Sequence, residues 1–422
     1  MEKLTLSKLK EAVAGPYAAI RSVTRLEPAG GPSDKLFPPT FVKEGQSETK
    51  YAIESRRIDG REVKVVLLDS VASQANRMEE ALLDAWRRRE LDFPLVQVDF
   101  SKKEGLEDLE QISVLQAPHR IADAILRDSV LGGQPFRHTA PGAAFTESSP
   151  TRATGMYVYC PTALVFGVWD STGPKGGLGA KFQRCLTSEI VGLDAVPGVK
   201  TASRIDPLSI QRKAGPIFQK KGEPLEWTLQ EKDAEKDKAG KPVPFKGGKE
   251  KGLPSAINHG NIPPSIDFEA GGVTISGAVQ TVVLSLAGLR RLRFPTDEHG
   301  KSISSEVRHQ AEGAARATLA ALGLAAVVYQ RENGFDLRSR CVLVGKDPLS
   351  FELLSNDGAP PLAFTLDRAG AKGLLAEAHA DARKMGLGWE RGPIDLEPAP
   401  KLVQLIRHSR DLLRAGEAEA EA

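Results

Sequence analysis

The stretch Leu67–Leu83, L-L-D-S-V-A-S-Q-A-N-R-M-E-E-A-L-L, restricts this chain more than any other segment. It reads as a short buried strand that breaks into a helix, because Ala75, Met78, Leu82 and Ala85 recur at helical spacing and should face a core. Ser70, Ser73, Gln74, Asn76 and Arg77 crowd the first turn. A helix N-terminus offers unpaired backbone N–H groups and a partial positive charge, so hydroxyl, amide and guanidinium groups gathered there suit a phosphate or another anion. The plainer alternative has Asp69 or Ser70 capping the helix and Arg77 solvated.

A second block runs from Met156 to Glu189. Two β-rich runs, M-Y-V-Y-C and T-A-L-V-F-G-V-W, precede D-S-T-G-P-K-G-G-L-G-A-K-F-Q-R-C. Gly173, Gly176, Gly177 and Gly179 let a backbone approach a ligand closely, and Lys175, Lys181 and Arg184 add positive charge. This is expected to be a flexible basic loop after a strand. A Walker A loop needs Lys directly after its last Gly and then Ser or Thr, whereas Ala180 intervenes here and Phe182 follows. The dinucleotide fingerprint fails for want of a third glycine at the required offset. Phe166 and Trp169 read as core aromatics, with stacking of Trp169 or Phe166 on a base as the alternative.

Elsewhere, Tyr17–Leu26 reads as a first strand leading into the loop P-A-G-G-P-S-D-K-L-F-P-P, which holds Lys35. Tyr51–Arg57 and Val63–Leu68 form a hairpin around Asp59-Gly60. A helix over Ser73–Arg89 follows, and a second is expected from Pro118 to before Gly132, with Ile121, Ala122, Ile125 and Leu126 on its apolar face. From Gly272 a β-rich run reaches Phe294. A helix from about Ser304 to Leu322 carries the stripe Val307, Ala311, Ala315 and Leu319, and strands Ala325–Gln330 and Ser339–Val344 come next. Strand-helix-strand twice over predicts an α+β fold with two halves of a ferredoxin-like sheet. Four segments follow: 1–218 and 254–366 as the two halves, 219–253 as an insertion alternating Lys with acids and broken by Gly and Pro, and 367–422 as a helical region. The insertion is expected to be a flexible surface excursion without a compact core of its own, a specific basic binding arm being the alternative, and the tail A-G-E-A-E-A-E-A to be disordered.

Composition limits what the chain can do. Its 422 residues are 41% hydrophobic, enough for a sizeable core, and 57 Lys and Arg against 55 acidic residues leave no global basicity. Any polyanion site must be local. Cys160, Cys185 and Cys341 show neither metal spacing nor a disulfide framework and read as reduced thiols in a cytoplasm. The N-terminal segment lacks a signal-peptide h-region, and no apolar run approaches membrane-spanning length, so no membrane partner is expected.

In order, R-L-E-P-A-G-G-P-S-D-K-L-F-P-P, L-L-D-S-V-A-S-Q-A-N-R-M-E-E-A-L, A-P-H-R-I-A-D-A-I-L-R-D-S, P-F-R-H-T and the Gly173–Arg184 loop resemble the backbone RAMP subunit of type I-G (formerly I-U) CRISPR effector complexes. The resemblance covers most of the first 210 residues. It implies a modified RNA-recognition fold, several copies assembling head to tail along a CRISPR RNA beside other Cascade subunits, target DNA recognised through guide pairing, and no cofactor. Family backbone proteins usually insert a hairpin thumb that kinks the guide, and no segment of this sequence marks it. A subunit that accepts any spacer should hold phosphates rather than base edges. The first turn at Ser70–Arg77 and the loop at Lys175, Lys181 and Arg184 are of that kind. Arg21 and Arg25, alternating with apolar residues on the first strand, point at RNA from an open sheet face or are solvated. Lys35, Arg120 and Arg137 are further basic candidates, and His119 and His138 read as helix-start or surface residues.

Related subunits of type III complexes cut target RNA with an aspartate, which makes Asp69 the enzymatic alternative. It has no partner carboxylate at metal-binding spacing and no neighbouring histidine, so a helix-capping role and no metal site are expected. A nucleotide- or phosphosugar-binding enzyme using Gly173–Lys181 is the third reading.

Overall fold

The computed structural model describes residues 2–43, 48–171, 173, 176, 179–247 and 250–414. The chain divides into two compact units, one of residues 1–41, 51–196 and 273–402, the other of residues 42–50, 197–272 and 403–422.

The first unit is a mixed α+β assembly built on a ten-stranded sheet. Its strands are β1 (Glu2–Lys3), β2 (Tyr17–Pro28), β3 (Ile53–Ile58), β4 (Arg61–Asp69), β5 (Leu186–Leu193), β6 (Gly277–Ser285), β7 (Phe335–Arg338), β8 (Cys341–Gly345), β9 (Phe351–Ser355) and β10 (Leu362–Thr365). They run β1-β10-β9-β2-β6-β5-β4-β3, with β8 also pairing β2 and β7. All pairings are antiparallel except β1 with β10. Alternation along β2 explains the layering: Ile20, Ser22, Thr24 and Leu26 are buried, and Val23 and Arg25 are exposed. The buried face carries α1 (Leu6–Ala14), α2 (Val71–Arg87), α3 (Ser305–Asn333) and α4 (Arg368–Lys384), which pack on one another and on β5 and β6. The β3–β4 hairpin turns at Asp59 and Gly60, both at positive φ (48° and 78°), as the Asp-Gly pair demands.

Several expectations give way. Helix α2 begins at Val71, two residues earlier than the periodicity suggests, because Ser70 caps it. The segment from Pro118 is not one helix: a 3-10 turn over Arg120–Ala122 stops at Asp123, whose carboxylate accepts the Ile125 N–H and starts a four-residue helix, Ala124–Arg127. M-Y-V-Y and T-A-L-V-F are not strands but the helices Thr154–Tyr159 and Pro161–Phe166, the second started by a proline at its first position. Ala325–Gln330 is likewise the last part of α3. Every residue from Ala314 to Gln330 is buried, so the helix is apolar all round and shows no stripe by which to recognise it. Val307, assigned to that stripe, is exposed.

Contrary to the sequence reading, α3 is long and apolar enough to cross a membrane. Of its most apolar stretch 94% lies inside the protein, as in the core helix of a globular unit. The C-terminal region is helical except for a strand, Pro393–Pro398, which pairs in parallel with Leu95–Asp99 in a separate five-stranded sheet. The tail from Ala415 lies outside the described residues.

The second unit absorbs the charged insertion, which is not structureless. A ribbon pairs Lys200–Arg204 with Ile262–Asp267, and within it Phe218–Lys220 pairs with Glu223–Thr228, and Lys246–Gly247 with Glu250–Lys251. Ile217, Phe218, Ala234 and Ala256 are buried there, a small nucleus that the surrounding charge conceals in the sequence.

The three cysteines are free and buried. Burial pushes the Cys160 and Cys341 thiols up to about 11 and Cys185 to about 12, which keeps them protonated and unreactive.

His379 on α4 stacks on Trp389 with ring centroids 4.2 Å apart, and its Nε2 accepts the Trp389 backbone N–H at 3.2 Å. Burial holds its pKa below the ordinary 6.5, with Arg383 adding to the shift and Asp92 opposing it. The unfolded chain therefore takes up this proton more readily, so the contribution of His379 is complete above pH 6.5 and is lost below it, as pH falls through the lower pKa of the folded state. Thermal melts between about pH 7.5 and 5.5 should show wild type losing more stability than H379Q, and equal losses would remove His379 as the cause.

Candidate functional site

The start of α2 splits the residues that the sequence places together. Ser70 Oγ accepts the Ser73 N–H at 3.2 Å and is the cap. Asp69, the last residue of β4, is not: its wholly buried carboxylate accepts from Gln74 Nε2 at 2.6 Å and from Arg77 Nε at 2.9 Å. Arg77 also donates to the backbone carbonyls of Asp336 and Leu337. Gln74 is buried, and its Oε1 accepts from Ser188 Oγ and Gln280 Nε2, each at 2.8 Å. Gln280 Nε2 is also 3.1 Å from Gln330 Oε1 on α3. Gln74 and Arg77 thus serve the interior, whereas Asn76 is exposed and Ser73 half-buried.

Other predicted cations are paired. Arg21 and Arg25 do lie on the solvent side of β2, but Arg21 holds Glu352 and Arg25 holds Asp347, each at 2.7 Å. Arg137 grips the buried Asp170 with two bonds of 2.8 Å. Lys35 is half-buried beside the core residue Leu36, and Lys175 lies outside the described residues.

The remaining candidates meet in one place. A short antiparallel pair, Val168–Trp169 with Lys181–Phe182, brings the two ends of the glycine-rich loop together. Gly167, at φ 81°, precedes it, and a Cβ there would come within 2.9 Å of the Arg184 backbone nitrogen, so the crossing requires glycine. Beside the pair opens a cleft of about 720 Å³ lined by His119, Arg120, Trp169, Lys181, Arg184 and Arg291 among others. Among the described residues its lining contains no Asp or Glu. Beneath it, Arg120 reaches Glu79 through Nε and Nη2 at 2.6 and 2.7 Å, and Nη1 donates to the Gly167 carbonyl. Burial pushes the Glu79 carboxyl upward while Arg120 pulls it down. Both side chains are almost inaccessible, so the pair anchors the floor.

Three cations above the floor lack a carboxylate. Lys181 Nζ sits 4.7 Å from the centre of the Trp169 ring, Arg291 donates to the neutral Gln183 Oε1 at 2.7 Å, and the Arg184 guanidinium makes no hydrogen bond or ion pair among the described residues. Burial, reinforced by Arg120 and opposed by Glu79, pushes the Arg184 pKa down. Trp169, read as core, is 52% exposed, whereas Phe166 is buried as expected. Arg291 was missed by sequence reasoning, since it lies 108 residues from its partner Gln183 and no local pattern marks it.

Residues 20–197 match the family model described as CRISPR-associated protein GSU0053, under half of the chain. The matched span runs from β2 through β5 and contains Trp169, Lys181 and Arg184. No curated protein matches. Among solved structures the chain is similar to Csc2 of Thermofilum pendens at 12% identity and a TM-score of 0.27, over 98% of this chain and 81% of that one. So loose a likeness transfers no geometry.

Because Arg77 balances a carboxylate with no exposure, removing it strands a buried charge. Chemical denaturation should find R77M destabilised by about 3 kcal/mol, with D69N/R77M recovering part of the loss. An R77M variant as stable as wild type would return Arg77 to the solvated role.

Proposed function

We propose that this chain is a guide-RNA-binding subunit of a CRISPR effector complex, a reading carried by the match of residues 20–197 to a CRISPR-associated family. The strand order supports it. Units β2–α2–β5 and β6–α3–β9 place four strands as β9-β2-β6-β5 with every neighbour antiparallel, the arrangement of a ferredoxin-like, RNA-recognition frame. The ordered motif blocks favour the type I-G backbone subunit, with copies joined head to tail along the guide, target DNA read by base pairing and other Cascade subunits at the ends. The ribbon of Lys200–Arg204 and Ile262–Asp267 is the element best suited to the hairpin thumb that such subunits insert.

Binding is proposed to be independent of sequence. A near-neutral protein that holds a few phosphates per copy gains affinity by repetition along the guide. We assign the chain no catalysis of its own. Asp69 has no exposed surface and is held by Gln74 and Arg77, which counts against it as the endonuclease residue. The nucleotide-enzyme reading lacks a phosphate-loop motif.

The test is purification of the tagged protein from cells that also express a repeat–spacer RNA. A multimer carrying RNA of uniform length and varied spacer sequence is expected, and D69N should leave that RNA intact with or without divalent metal. An RNA-free monomer overturns the reading.

A further inference from the structure

Resting on that reading, we infer that the cleft beside Trp169 seats one nucleotide of single-stranded RNA, its base stacked on the indole and its phosphate between Arg184 and Arg291. The contrast among cations points there. Arg21, Arg25, Arg77, Arg120 and Arg137 each hold a carboxylate, so their charge is neutralised inside the fold. Lys181, Arg184 and Arg291 converge on one concavity whose lining, among the described residues, holds no acid; the one carboxylate that acts on Arg184 from below, Glu79, is already held by Arg120. Arg184 is half-buried, a setting that disfavours its charge and that Glu79 offsets only in part, so an anion in the cleft would be favoured beside it.

The aromatic component is independent of the charge. A half-exposed tryptophan at the mouth of a cavity is unusual placement for so large an apolar ring. Pairing of Trp169 with Lys181 across the two strands fixes the ring, and the ammonium over its face both orients it and adds a cation next to whatever stacks there. A planar ring carrying a phosphate within a few ångströms is the chemistry of a nucleotide, and a cleft of about 720 Å³ is of the size that admits one. Stacking tolerates any base, so the seat suits RNA of arbitrary sequence. A free nucleotide shares this chemistry, and the experiment separates the two.

The full-length protein is titrated with unrelated fluorescein-labelled single-stranded RNAs across a salt series, and with UMP and AMP by calorimetry, using wild type, W169L, W169F and R184Q/R291Q whose thermal melts are recorded in parallel. W169L should weaken RNA binding about tenfold for every sequence, and W169F should restore most of it. The salt dependence of R184Q/R291Q should be shallower than that of wild type by about 0.7 in slope for each phosphate no longer neutralised. RNA binding that survives W169L and R184Q/R291Q unchanged overturns the nucleotide seat and leaves guide binding standing. If wild type binds UMP or AMP and no RNA, both the RNA assignment and the guide-binding reading fall. A loss in W169L that tracks a lowered melting temperature, with no rescue in W169F, overturns the stacking role.

Discussion

A buried polar relay holds the first unit together. It runs from Asp69 through Gln74 to Ser188 and Gln280 and ends at Gln330, joining β4, α2, β5, β6 and α3. Amides and a carboxylate in so dry a place are costly without partners, and the partners formed here coincide in one register of helix against sheet, leaving Asp69 Oδ1 and Gln330 Nε2 at the two ends without one among the described residues. Arg77 extends the relay to the carbonyls of β7, so the two strand-helix-strand halves are clamped by groups that sit five and eight residues beyond Asp69. Apolar packing alone tolerates sliding of α2 along the sheet; this relay does not.

The same matching of charge sorts the surface. Carboxylates accompany the arginines of the sheet's outer face: Glu352 beside Arg21, Asp347 beside Arg25, and Glu189 beside Arg56. Such exposed pairs add little stability, but they leave that face nearly neutral. The cleft beside Trp169, lined among the described residues by cations and no acid, gathers positive charge that low-dielectric walls concentrate. A net charge of +2 over the whole chain conceals this local excess.

Legibility in the sequence followed the range of the signal. Strand β2, the Asp59-Gly60 hairpin and α2 are set by neighbours a few residues away and could be read directly. Tyr157, Val158, Val165 and Val328 favour strands in isolation, yet they sit in helices because burial on every side erases the periodicity that distinguishes the two states. Lys181 and Arg184 were recognisable beside their glycines, and Trp169 was visible as an aromatic but not as an exposed one. Gln74 and Arg77 were assigned outward, since the direction of a side chain in a first helical turn depends on what packs against that turn. Arg291 arrives from the second half of the fold and leaves no trace in local pattern.

The seam between β5 and β6 has a further consequence. These strands pair without a break from Leu186 opposite Leu284 to Leu193 opposite Gly277, so the chain leaves and re-enters the sheet at adjacent points. Whatever is strung between those points closes a loop whose ends are already fixed, and its length enters the free energy logarithmically, at about 0.6 kcal/mol per doubling. The long excursion from residue 197 to residue 272 can therefore be lengthened, shortened or exchanged at little thermodynamic cost. The sheet it departs from behaves as a chassis with a socket, one that accepts a new attachment without disturbing the relay that holds the frame.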